Sequence, residues 1–241
     1  MDAERPAHLL LIHINPEFMK SPIPLLEILL TAAALALSQM IFMVAQRLAL
    51  RSDRFQYVML YARLLSGFML GLVPLASLSF SLSHVTQFIH FTNALLTLQS
   101  ALLFSVFAMF MTYRFAGRPE NLRVYPQVRI SHWTSGLLFC NSLSWMIYLA
   151  GYEFILRGFL FFPSMQSLPL AYAILLNLFL YSLAHLPKGR KETLGSIPFG
   201  LLLCILTAIT GNIWDAFLIH AALAVSNDIF SIKANPRMHF V

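Results

Sequence analysis

The chain has 241 residues, of which 59% are hydrophobic and only 11% charged, with a formal net charge of +6. A soluble domain carries roughly a quarter charged residues, so the composition excludes an ordinary soluble enzyme. It specifies an all-α fold, a polytopic transmembrane helical bundle whose backbone polar groups are satisfied inside helices. The basic residues are dispersed among short loops, which argues against nucleic acid as a partner and makes membrane lipid the surroundings.

In chain order, residues 1–22 open with acids and are broken by Pro16. They do not resemble a secretory signal peptide and read as an N-terminal extension of a single integral membrane domain covering 1–241. About seven spans follow, at about 23–46, 57–81, 93–113, 134–162, 168–186, 194–211 and 213–231. The fourth, roughly 29 residues, exceeds the ~20 needed for an untilted crossing, and Gly151 is a candidate kink within it. Pro163 and Pro169 are expected to bracket a tight turn into the fifth span. Cys140 and Cys204 both lie in apolar segments, so neither a disulfide nor a metal cluster is expected from them.

Lys and Arg mark alternate connections. Arg47, Arg51 and Arg54 follow the first span, Arg114, Arg118, Arg123 and Arg129 the third, and Lys188, Arg190 and Lys191 the fifth, while Lys233 and Arg237 lie in the tail. The intervening connections hold no Lys or Arg. This alternation places the N-terminus outside and the C-terminus in the cytoplasm. Arg63, within the second span, is expected to snorkel to the cytoplasmic surface.

Three polar stations interrupt the later spans: Glu153 with Arg157, the Tyr181 to His185 stretch, and His220. Ionisable groups at membrane depth are costly and mark candidate functional sites. Measured from the connections, Glu153 lies about 15 Å deep, His185 about 26 Å and His220 about 11 Å at 1.5 Å per residue. A kink or tilt would let them surround one cavity. Glu153 and Arg157, at i and i+4, share a helix face, and Asn177, Tyr181 and His185 repeat every four residues. A carboxylate and an imidazole around one water can deprotonate it for attack on an amide carbonyl, and a second imidazole can stabilise the oxyanion. The same Glu and two His could instead ligate zinc at an open site, although the HExxH pattern is lacking. The bland alternative for Glu153 and Arg157 is an intrahelical ion pair, and for each His a hydrogen bond between helices. Asn212 and Asp215 are expected to cap the seventh span. Asn227, on the His220 face, and Asp228 beside it are expected to be capping or solvated.

These motifs resemble those of the CPBP (CAAX protease and bacteriocin-processing, or Abi) intramembrane endopeptidases. The family pattern is EExxxR, then FxxxH, then a later His often followed four residues on by Asn. Here it reads Tyr152-Glu153-x-x-x-Arg157, then Tyr181-x-x-x-His185, then His220 with Ala224 at the Asn position. The resemblance covers about 134–231, the expected catalytic core. It implies a glutamate-type intramembrane protease acting on a membrane-anchored or lipidated protein. By carry-over, Glu153 and His185 activate water, Arg157 positions Glu153, and His220 stabilises the oxyanion. Tyr152, Tyr181 and Asn227 are the supporting residues. No cofactor is expected, with a divalent metal such as zinc as the alternative. Tyr152 and Ala224 depart from the pattern, so the competing expectation is a catalytically impaired member acting as a membrane binding or immunity protein. The expected location is a bacterial inner (cytoplasmic) membrane.

Overall fold

A computed structural model describes residues 24–51, 57–77, 86, 89–91 and 93–241; the 1–22 extension lies outside them. In chain order the helices are α1 (Leu25–Ala49), α2 (Val58–Ala76), α3 (Ala94–Phe115) and the short α4 (Pro119–Val124). Next comes α5 (Ser135–Glu153), which runs without a break through a π-helical segment (Phe154–Phe161) into α6 (Phe162–Ser167). The remainder comprises α7 (Leu170–Leu183), a 3-10 turn (Leu186–Lys188), α8 (Arg190–Thr210) and α9 (Trp214–Ala234). A two-residue parallel pairing of β1 (His132–Trp133) with β2 (His239–Phe240) pins the tail beside the start of α5.

Among the described residues, six helical stretches are long and apolar enough to cross a bilayer. The protein is therefore an integral membrane protein. The outer faces of α1 to α3 agree: Leu29, Leu65, Leu102, Val106 and Phe110 are all exposed, a surface that hydrocarbon accommodates and water does not.

Two expectations about the spans change. The fifth span is a helix of only 14 residues, about 21 Å long, because Pro169 precedes it and the chain turns at His185–Pro187. The expected turn at Pro163 does not occur. Pro163 falls just after the junction of the π segment with α6; it removes one intrahelical N–H bond without ending the helix, which continues to Ser167. Glu153 thus lies 14 residues before Ser167, about 21 Å, and His185 lies 16 residues after Pro169, about 24 Å. The continued helix brings the two nearly level.

Gly151 lies within α5, which stays helical through it. It serves close packing of α2 on α5: a Cβ on Gly67 would sit 2.6 Å from the Ile147 carbonyl oxygen, and one on Gly151 would drive into the Gly67 carbonyl. Small residues permit this approach of backbones within a membrane. The two helices run parallel, since Arg63 meets Asn141 while Gly67 meets Ile147. On the other side of the bundle α3 lies parallel to α9. Asn212 Nδ2 donates to Thr97 Oγ1 at 2.9 Å, Ser100 bonds Asp215, and Thr112 and Ser226 hydroxyls are 2.8 Å apart. Asn212 also accepts from the Trp214 N–H at 3.0 Å, as a cap. Asp215 does not cap; it is turned to Ser100 on α3.

Arg63 is fully buried and does not snorkel. Its guanidinium donates to Asn141 Oδ1 at 2.7 Å, Ser144 Oγ at 3.2 Å and twice to Gln127 Oε1 at 3.1 and 3.3 Å. It stands 3.6 Å from Asp228 Oδ2 and 4.1 Å from the centre of the Trp145 ring. Asp228, expected at a solvated end, is buried too and accepts from Asn141 Nδ2 at 2.9 Å and Trp145 Nε1 at 2.7 Å. The compensation is mutual: each charge is tolerated because the other, and a ring of amides, faces it.

Candidate active site

The site lies where α5, the π segment, α7 and α9 converge. Thr134 accepts from the Leu137 N–H and starts α5, which carries Tyr152 and Glu153 at its far end, both buried. There the helix widens, and the Phe162 N–H bonds to the Arg157 carbonyl five residues back. Such π turns recur at functional sites. The carbonyl of Leu156 within the widened turn accepts from Asn177 Nδ2 of α7 at 2.7 Å. Asn177 thereby fixes the segment that holds Arg157.

Glu153 Oε1 and His220 Nδ1 are 2.6 Å apart, and Glu153 Oε2 is 3.4 Å from Arg157 Nε. The carboxylate is thus shared between a helix-mate and α9. An ionised carboxylate beside a guanidinium can only accept, so Nδ1 carries the proton and Nε2 of His220 keeps its lone pair. The Arg157 guanidinium stacks over the Tyr181 ring at 4.8 Å. Among the described residues, none of its nitrogens makes a hydrogen bond.

His185 takes a different position. Its Nδ1 lies 2.9 Å from the Tyr181 carbonyl oxygen, and its ring is 4.7 Å from that of Tyr181. Donating Nδ1–H to a carbonyl leaves Nε2 as acceptor. Tyr152 stands between the histidines, with ring centres 6.5 Å from His185 and 5.8 Å from His220, and 5.9 Å from Tyr181. Its hydroxyl is buried without a hydrogen-bond partner among the described residues. Tyr152 and Glu153 therefore both belong to the site, although adjacent helix positions differ by about 100° in direction.

The structure brings Glu153, Arg157, Tyr152, Tyr181, His185 and His220 together. Asn227 is not among them: seven residues beyond His220 on α9, it lies about 10 Å further along the helix axis. Sequence reasoning missed Asn177 as a support, though its place in the four-residue repeat was a signal. It also missed Phe199 of α8, whose ring packs on His220 at 5.4 Å. For a metal, Glu153 Oε1 and His220 Nδ1 face each other and His185 Nδ1 is turned to a carbonyl. Among the described residues, no three His, Cys, Asp or Glu side chains are grouped to hold an ion.

A helical membrane bundle with a buried Glu–His–Arg cluster is the class that the fold and site define. Residues 128–226 match the family model described as Type II CAAX prenyl endopeptidase Rce1-like. The match encloses every residue of the cluster and bears out the resemblance to the CPBP family; Asn227 falls just beyond it. No curated protein and no solved structure matches the chain. The family match supports a membrane protease reading and suggests a peptide hydrolase.

Proposed function

We propose that the protein is a glutamate-dependent intramembrane endopeptidase that hydrolyses a peptide bond of a membrane-associated, prenylated protein. The observation that carries this reading is the buried 2.6 Å pairing of Glu153 with His220 Nδ1. Glu153 orients the imidazole and stabilises its protonated form. His220 Nε2 takes a proton from water as the oxygen attacks the scissile carbonyl carbon. The imidazolium then gives that proton to the departing amine, leaving a carboxylic acid and a free amine. His220 thus takes the base role with Glu153 behind it, where carry-over from the family made it the oxyanion donor. The unspent donors of Arg157 and the Tyr152 hydroxyl are the oxyanion stabilisers, so Tyr152 contributes a donor where the family pattern has a first Glu. His185, tied at Nδ1, offers Nε2 to hold the attacking water. In this reading no cofactor takes part.

The orientation follows from the charge alternation: the end carrying Arg118, Arg123 and Lys188 faces the cytoplasm of a bacterial inner membrane. The protein reconstituted in lipid nanodiscs and incubated with prenylated, membrane-anchored peptides should release shorter products detectable by mass spectrometry. Glu153→Gln should lower the rate about 10²–10⁴-fold with helix content unchanged. Equal rates for the two proteins would defeat the assignment.

A second reading rests on Tyr152, whose ring packs against both imidazoles. In a binding or immunity protein that ring would fill the site. Function retained in Glu153→Gln cells would favour it.

A further inference from the structure

A separate cavity of about 310 Å³ opens at the basic end of the bundle, between the last turns of α1, the start of α2, the stretch after α4, and the 186–188 turn. The α1 wall is mainly apolar, with Phe42, Met43, Ala49 and Leu50 interrupted by Gln39 and Gln46. Met43 and Leu50 are exposed on the lipid-facing side, so this wall is continuous with the surface that hydrocarbon covers. The opposite wall carries Arg123, Arg129 and Lys188, and no carboxylate lines the cavity among the described residues.

These cations are available. The Arg129 guanidinium donates to the carbonyls of Leu122 at 2.9 Å and Arg123 at 2.7 Å, which fixes its position and leaves three of its N–H groups. Lys188 reaches over the Trp145 ring at 6.0 Å. Among the described residues no ion pair engages Arg123, Arg129 or Lys188. Arg63, behind the same Trp145, is already matched by Asp228. Desolvation pulls Lys188 and the partly exposed Arg129 below their ordinary pKa values, against the opposing pull of Asp228 on both and of Glu192 on Lys188, so an added anion would favour their charged forms.

We propose that this cavity binds an anionic glycerophospholipid of the adjacent leaflet, with its phosphate among Arg123, Arg129 and Lys188 and an acyl chain along Phe42, Met43 and Leu50. Basic pockets between membrane helices at the cytoplasmic side take such headgroups. An acidic peptide would match the cations alone; the apolar wall, facing the bilayer, favours the lipid. The proposal does not depend on the catalytic reading.

The test uses the full chain in an uncharged detergent, with native mass spectrometry and thermal unfolding at added phosphatidylglycerol, phosphatidylcholine or inorganic phosphate. Phosphatidylglycerol should be retained as one bound lipid and raise the Tm; the other two should do neither. Arg123→Gln with Lys188→Gln should weaken phosphatidylglycerol binding about 30-fold, from the contribution of two cations at a charged surface. Neither side chain donates a hydrogen bond among the described residues, so the fold should survive. Arg114→Gln, an exposed charge outside the cavity, should bind as the parent does. Equal retention of the two lipids, unchanged affinity in the double variant, a Tm rise with inorganic phosphate alone, or displacement of the lipid by an acidic peptide would overturn the proposal.

Discussion

Replacing Arg63 with Met keeps most of the buried stem and removes only the charge and its donors. The guanidinium makes four hydrogen bonds to three side chains and an ion pair at 3.6 Å, all out of solvent. Its loss leaves Asp228 as a buried carboxylate answered by two neutral donors, Asn141 and Trp145. Breaking a buried pair from one side costs about 3–5 kcal/mol, whereas a surface pair costs ~1 kcal/mol or less. Arg63→Met should therefore lower unfolding stability by about 3–5 kcal/mol. The double variant Arg63→Met with Asp228→Leu should recover part of this. It strands Asn141 and the Trp145 N–H but no charge, at about 1–3 kcal/mol for unmade hydrogen bonds. Unfolding in mixed micelles by increasing SDS, followed by tryptophan fluorescence, measures both. A loss below ~1 kcal/mol in the single variant would match a snorkelling surface residue and refute the buried network.

Three further outcomes are expected. Gly67→Ala places a methyl 2.6 Å from the Ile147 oxygen, and the same unfolding assay should show about 1–3 kcal/mol lost to overpacking. Asn177→Leu leaves the Leu156 carbonyl of the π segment without its 2.7 Å donor. It should cost about 1–3 kcal/mol and, by loosening the turn that carries Arg157, lower kcat in peptide cleavage. Tyr152→Phe keeps the ring contacts and removes the hydroxyl: kcat should fall about 10²–10³-fold, as for loss of one oxyanion donor, with KM unchanged and stability raised, since an unpaired buried hydroxyl is removed.

Hydropathy was enough to read six of the spans, because a bilayer imposes length and polarity on each helix independently of its neighbours; the fifth was read too long. The motif spacings were likewise enough to nominate Glu153, Arg157, His185 and His220. What the sequence hid depends on long-range partners. Arg63 lies early in α2, where a lone Arg reads as snorkelling; its partner Asp228 is 165 residues away and near a helix end, where an Asp reads as solvated. Neither is intelligible without the other. Pro163 misled for a local reason: a proline in an apolar run signals a turn, but here it sits inside a continuous helix, directly after the π segment where the i to i−4 ladder is already interrupted. The pairing of Glu153 with His220 rather than His185 depends on where α9 sits against α5. Motif order carries no such information.

The two buried arginines show how site and scaffold differ within one bundle. Both are fully buried and both face a carboxylate. Arg63 is surrounded by acceptors from Gln127, Asn141 and Ser144, the pattern expected where a polar network rigidifies a fold. Arg157 has Glu153 at 3.4 Å, an aromatic face at 4.8 Å, and no hydrogen bond to any of its nitrogens among the described residues. Burying donors unpaired works against folding. A fold carries such a debt where function uses the group. The unmet donors of Arg157 and Tyr152 lie beside the Glu153–His220 pair. Stability alone accounts for Arg63; it does not account for Arg157, whose unmet donors are the ones the proposed hydrolysis would turn to the oxyanion.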